Sequence, residues 1–170
     1  GTGIITTAHK ADLAPRESFE IAVLHMAALN APASLAMRRA GVQACTDITG
    51  FGLLGHAFEM AVASGVGLTI FASAIPLLPD VLDLAAQGLL PAGAHANRNY
   101  LCSRVSFDRD VPQVLQDVMF DPQTSGGLLI AVRQDRVASL LDDLHAAGVM
   151  PAQVIGEVTA ADPGTIRVVP

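Results

Sequence analysis

The stretch Cys45-Thr46-Asp47-Ile48-Thr49-Gly50-Phe51-Gly52-Leu53-Leu54-Gly55-His56 decides how the chain is read. A short apolar run, Val42 to Cys45, reads as a buried strand, and a lone carboxylate, Asp47, follows it. Phe51, Leu54, Phe58 and Ala61 then fall at helical spacing on one face. Between strand and helix, Thr49, Gly50 and Gly52 suit a tight turn, because glycine tolerates positive φ and lets a ligand approach the backbone. A helix start offers unpaired N–H groups and the positive end of the dipole, which favour phosphate. Asp47 beside such a start can hold a Mg²⁺ ion that shares phosphate oxygens.

Two other readings compete. Gly50 to Gly55 match G-x-G-x-x-G, the dinucleotide fingerprint, which also requires an acid about twenty positions on to bind ribose. The next strand, Leu68-Thr69-Ile70-Phe71, runs into Ala72-Ser73-Ala74 and carries none. The plainer alternative has Asp47 capping a turn while the glycines serve helix packing. Spacing alone leaves that alternative standing.

At 170 residues the chain is one domain's worth, long enough for a single good core. Hydrophobic residues make up 51% and charged residues 15%, with a mean hydropathy of +0.46. No uninterrupted apolar run approaches the ~18 residues of a membrane span. The surplus of apolar residues points instead to a face that packs on another domain or subunit. Sixteen acids against ten bases leave a net charge of −6, and no basic cluster exceeds Arg38-Arg39. Nucleic-acid binding is therefore disfavoured. Two cysteines, Cys45 and Cys102, make no disulfide framework and fit a reducing compartment. The opening Gly1-Thr2-Gly3 has no charged n-region or apolar h-region, and the cytoplasm is the expected location.

Along the chain, Thr2 to Ala8 reads as a strand centred on Ile4 and Ile5. Pro15 suits the first position of a helix ending near Asn30, and Pro32 begins another that Gly41 stops. The helix after Gly52 runs to Ser64-Gly65, and Gly67 to Phe71 is a strand. A helix from about Pro79 to Gln87 is halted by Gly88. Leu89 to Tyr100 shows no clear periodicity and reads as a long loop, functional or resting against another part of the protein. Val105 to Phe107 reads as a strand and Pro112 to Met119 as a helix. Asp121 to Gly127 is a polar turn before the strand Leu128 to Val132. Gln134 to Ala147 is the clearest amphipathic helix, with Val137, Leu140, Leu141 and Leu144 apolar. Gln153 to Thr159 and Thr165 to Val169 close the chain as strands, near enough across Ala160 to Gly164 for an antiparallel hairpin. The fold class is α+β, with helices packed on a mixed, largely antiparallel sheet.

Thr46 to His56 closely resembles the signature of the selenophosphate synthetase (selenide, water dikinase) family. Asp121-Pro122-Gln123-Thr124-Ser125-Gly126-Gly127-Leu128-Leu129 is similar to a second signature of that family, and Gly1 to Ile5 resembles the segment that opens its carboxy-terminal half. The resemblance implies a partly ferredoxin-like fold, the carboxy-terminal domain of the aminoimidazole ribonucleotide synthetase-like superfamily. It implies that residues 1–170 are one domain of a larger two-domain ATP-dependent enzyme whose amino-terminal half is absent. The intact enzyme would make selenophosphate, AMP and phosphate from hydrogen selenide, ATP and water, using Mg²⁺, as a homodimer. The family's nucleophilic cysteine or selenocysteine and its lysine belong to the absent half, so neither Cys45 nor Lys10 takes those roles and no catalytic residue is expected here. Asp47 is the implied metal ligand, completed by aspartates from that half, and Thr49 and Gly50 are expected to face phosphate.

Asp121 to Gly127 can form an anion nest or support the Asp47 turn from behind, and support is the favoured reading. His9, His25, His56, His95 and His145 show no zinc-site spacing. His56 matches the family's histidine and is expected to orient or pack rather than to catalyse. Ser125 lies in no nucleophile elbow. Two further functions stay open: another ATP-using relative, of the thiamine-monophosphate kinase or hydrogenase-maturation type, and a non-catalytic packing or assembly domain.

Overall fold

The computed structural model describes residues 1–42, 44–160 and 162–170. Gln43, within the expected strand Val42–Cys45, and Ala161, within the expected turn Ala160–Gly164, lie outside the described residues. The chain begins on a helix, α1 (Thr2–Lys10), where a strand was expected. Ile4, Ile5 and Ala8 are fully buried, a helical rather than an alternating spacing. The preference of Ile4 and Ile5 for strands is overridden because distant side chains cap the helix. Asp121 Oδ2 accepts the Gly3 and Ile4 N–H groups at 3.0 and 3.3 Å. Gln123 Oε1 accepts the Thr2 N–H at 3.1 Å.

α2 (Arg16–Ala27) follows Pro15, which stands at the cap position rather than inside the helix, and α3 (Ala31–Arg39) ends before Gly41 at φ 69°. Strand β1 (Ala44–Asp47) leads through the central turn to α4 (Gly52–Ser64), closed by Gly65 in the left-handed region. Then come β2 (Gly67–Phe71), α5 (Val81–Ala86), α6 (Ala92–Leu101), β3 (Val105–Phe107) and α7 (Gln113–Val118). β4 (Leu128–Ala131), α8 (Val137–Ala146), β5 (Gly156–Thr159) and β6 (Ile166–Val169) complete the order.

α6 replaces most of the expected loop at Leu89–Tyr100. Its buried positions are Ala94, Asn97 and Leu101, so the helical stripe runs through a polar residue that pattern reading counts as solvent-facing. The closing strands are not a hairpin. β2 lies between them, antiparallel to β5 and parallel to β6, in a four-stranded sheet ordered β3–β6–β2–β5. β6 also pairs in parallel with β3. β1 and β4 form a separate antiparallel pair, with Asp47 opposite Leu128. The architecture is α+β with mixed sheets, and its pairings divide evenly between parallel and antiparallel among the described residues.

Three apolar clusters hold these parts together. Leu54, Ala57 and Ala61 of α4 pack on Leu68, Ile70, Ile166 and Val168 of the larger sheet. Ile4, Ile5, Ala22, Val81, Leu84 and Val118 join α1, α2, α5 and α7. Ala33, Ala36, Leu140 and Leu144 join α3 and α8 over the β1–β4 pair. The segment 118–128 passes through all three, from Val118 through Met119 and Phe120 to Leu128. Among the described residues no single helix is long and apolar enough to cross a membrane.

Candidate functional site

The two polar turns singled out in the sequence lie side by side because β1 and β4 are paired. Beyond the Asp47–Leu128 register the backbones stay joined. Ile48 N–H donates to Gly127 O, Gly126 N–H to Ile48 O, and Gln123 N–H to Thr49 O, each at 2.9 Å. Asn97 Nδ2 then ties both turns from below, donating to Gly50 O and to Phe120 O at 3.0 Å each. Asn30 Nδ2 donates to Gly126 O at 2.9 Å. Where the two turns meet, these backbone polar groups thus find partners within the fold.

The glycines divide by role. A Cβ on Gly126 would lie 2.3 Å from Ile48 O, so only glycine lets the two turns meet. Gly52 has φ 68°, and a Cβ there would lie 2.9 Å from the Phe120 carbonyl carbon and the Asp121 carbonyl oxygen. A Cβ on Gly55 would lie 2.5 Å from Phe51 Cβ. These three serve conformation and packing. Gly50 differs: nothing lies within 4 Å of its missing Cβ. Two of the three fingerprint glycines thus follow the plainer reading, and Gly50 remains open to a ligand.

Asp47 stands exposed at the end of β1. Among the described residues its carboxylate has neither a hydrogen-bond partner nor an ion pair. Its charge acts on Cys45, two residues earlier on the same strand. Burial first, and then the Asp47 carboxylate, push the Cys45 thiol above its ordinary range. Cys45 is therefore held as a neutral thiol, as expected of an inert cysteine.

The start of α4 is less open to anions than its position in sequence implies. Gly52 N–H donates to Thr49 O and Leu54 N–H to Met119 O. Phe51, expected on the buried face, instead caps the helix and is 52% exposed, because the chain turns at Gly52 and swings its ring outward over Gly55. The turn 121–127 turns most of its N–H groups inward as well. Gln123, Thr124 and Gly126 direct their N–H groups to Thr49 O, Thr2 Oγ1 and Ile48 O. Asp121 is 1% exposed, and its Oδ2 accepts from Gly3, Ile4 and, at 2.9 Å, Gln123 Nε2. Support is the role the geometry gives this turn.

Sequence reading missed two partners. Glu59 lies three residues after His56, and its Oε2 is 3.0 Å from His56 Nδ1, while His56 Nε2 is 3.0 Å from Thr49 Oγ1. The i, i+3 spacing of His and Glu on α4 was the available signal. Asn97 gave none, since its partners are 23 and 47 residues away.

The donor set fits Mg²⁺. Among the described residues no group of three or more His, Cys, Asp and Glu side chains gathers to hold a metal. Mg²⁺ nevertheless binds through as few as one or two carboxylates, completed by water and phosphate oxygens. An exposed, unpartnered carboxylate such as Asp47 has the chemistry required of one such ligand.

Residues 16–169 match the family described as AIR synthase related protein, C-terminal domain. The chain is 48% identical over 158 residues to a selenide, water dikinase of Pelobacter propionicus, covering 93% of this chain and 45% of that relative. It is 44% identical over 174 residues to the selenide, water dikinase of Treponema denticola, covering 99% and 48%. It thus spans about half the length of these curated relatives. Among solved structures it is similar to Escherichia coli HypE, a hydrogenase maturation protein, with a TM-score of 0.62 at 21% identity over 98% of this chain and 42% of that one. That last likeness is one of fold.

Proposed function

We propose a function from one premise: the chain belongs to the AIR synthase related protein family and is its C-terminal domain. It serves as the carboxy-terminal half of a two-domain, cytoplasmic selenide, water dikinase, and contributes to a site completed by the other half. The whole enzyme converts hydrogen selenide, ATP and water into selenophosphate, AMP and phosphate. The observation that carries this reading is the similarity to selenide, water dikinases over nearly the whole chain, with both polar turns inside the matched region. The solitary carboxylate of Asp47 supports the finer assignment, since it has the chemistry of one ligand in a shared set.

Asp47 binds Mg²⁺ at the corner between β1 and the turn. There the ion would supply positive charge to offset that of phosphate. The chain's own residues do the rest by position. Gly50, with no side chain and open space above it, lets phosphate approach the backbone. Asn97, Gly126 and the ladder of 48–50 with 123–127 hold that backbone still. Exposed Leu24, Leu29 and Leu35 on and between α2 and α3 supply an apolar face for the rest of the enzyme or its second copy in a homodimer. The reading as another ATP-using relative rests on likeness of fold alone.

The test uses the full-length protein carrying Asp47→Ala, with Mg²⁺-ATP titration and ³¹P NMR of products from selenide and ATP. Loss of both Mg²⁺-ATP binding and AMP formation, with an unchanged melting curve, is expected. Unchanged binding and turnover would instead leave the domain a packing role. The isolated 170 residues are expected to form no AMP, and AMP formation by them would refute a shared site.

A further inference from the structure

His56 is 8% exposed and is held from three directions. Its Nδ1 lies 3.0 Å from Glu59 Oε2, its Nε2 lies 3.0 Å from Thr49 Oγ1, and the Phe51 ring tilts over it with centroids 5.6 Å apart. An ionised carboxylate only accepts hydrogen bonds, so the proton between His56 and Glu59 sits on Nδ1. A neutral imidazole protonated at Nδ1 has only a lone pair at Nε2. In that neutral form the Thr49 hydroxyl donates its single proton inward to His56.

We propose that Glu59 and His56 are positioning residues that commit the Thr49 proton inward and turn its oxygen into a fixed hydrogen-bond acceptor. Both Oγ1 lone pairs then face away from His56. Such an oxygen accepts from water or an N–H group and repels an unprotonated phosphate oxygen, for which it has no proton left. The ligand of the Thr49 side chain is therefore a hydrogen-bond donor, and water is the one consumed in the reaction proposed above. This replaces the simpler expectation that the Thr49 hydroxyl holds phosphate, and leaves that role to the Gly50 backbone. The inference rests on that functional reading for its kinetic consequence, and on geometry alone for the proton's position.

The test has two arms, both on the full-length protein. In the first, ¹⁵N-histidine NMR at neutral pH is compared between wild type and His56→Asn to assign the ring. The expected His56 pattern is a protonated Nδ1 with an unprotonated Nε2. Glu59→Gln retains it and Glu59→Ala loses it. A doubly protonated ring, or a proton on Nε2 in the wild type, overturns the proposal.

In the second arm, Glu59→Ala is expected to lower kcat about tenfold, with KM for ATP within about twofold, as losses behind a ligand do. Thr49→Val lowers kcat further, and adding Glu59→Ala to it lowers kcat no more, because both act through one oxygen. Glu59→Gln keeps most of the wild-type rate. A rise in KM for ATP with kcat unchanged would mean that the hydroxyl holds phosphate and would overturn the proposal, as would additive losses. Glu59 is more than half exposed, so its substitutions leave folding intact. If wild-type protein forms no AMP from ATP and selenide, the functional reading fails, and the NMR pattern still decides where the proton lies.

Discussion

Asp47 and Asp121 occupy the two signature turns, and the same β-ladder brings those turns together, yet their carboxylates live oppositely. Asp121 is 1% exposed, and its Oδ2 accepts from two backbone N–H groups and a glutamine amide. Asp47 is exposed and, among the described residues, unpartnered. One carboxylate is spent inside the fold, capping a helix through Gly3, 118 residues earlier in the chain. The other is left for something outside it. Two aspartates in adjoining turns thus differ in burial and in partner count, a distinction that sequence does not carry.

The separation is sharpest if the two aspartates are substituted in parallel in the full-length enzyme. Asp47→Ala is expected to lower turnover about a thousandfold, several kcal/mol of lost charge stabilisation, while the denaturant midpoint stays put. A comparable fall in stability would erase the contrast. Asp121→Ala should do the reverse in kind, destabilising the protein by about 3 kcal/mol because two helix N–H groups lose a buried charged acceptor. Urea unfolding followed by circular dichroism measures it. A midpoint within error of wild type would mean that the cap contributes nothing.

The glycines extend the same contrast at smaller scale. Gly52→Ala places a Cβ at positive φ against the Phe120–Asp121 backbone and is expected to cost about 2 kcal/mol. Gly50→Ala meets open space, so its stability should change by less than about 0.5 kcal/mol, while KM for ATP rises. Equal stability losses in the two variants would show that Gly50 is a packing glycine after all.

Much of this was legible in the sequence, for identifiable reasons. The spans of α4, α8, β2 and β4 follow from local periodicity and from glycines at positive φ such as Gly65 and Gly148. The sequence of Asp121 to Gly127 favours a supporting role over an anion nest. What failed depended on distant partners. α1 carries strand-forming Ile4 and Ile5 and no local cap, and its helical state is stabilised by Asp121 and Gln123. α6 hides its period behind Asn97, whose burial makes sense only once Gly50 O and Phe120 O converge on it. The supposed terminal hairpin is split by β2, because register in a mixed sheet is set by which faces bury, not by proximity in sequence. Asp47 as an open carboxylate could be named from sequence, but its lack of a partner could not.

Cys45 offers the gentlest probe of that open carboxylate. It lies two residues before Asp47 on β1, so both side chains point to the same side of the strand. Its thiol is pushed up by burial first and by the Asp47 charge second. At pH 8, below the raised value, only a small fraction is thiolate, and alkylation by iodoacetamide is slow in proportion. Asp47→Asn removes the smaller cause and leaves burial, so the rate at Cys45 should rise modestly. The direction is fixed: losing a neighbouring anion lowers the thiol's pKa and raises the thiolate fraction. A Mg²⁺ ion on Asp47 must act in the same direction, because it offsets the same charge. Alkylation of the full-length protein, mapped to Cys45 by mass spectrometry, should therefore accelerate when Mg²⁺-ATP is added to wild type and not when it is added to Asp47→Asn. Equal acceleration in both would place the ion elsewhere.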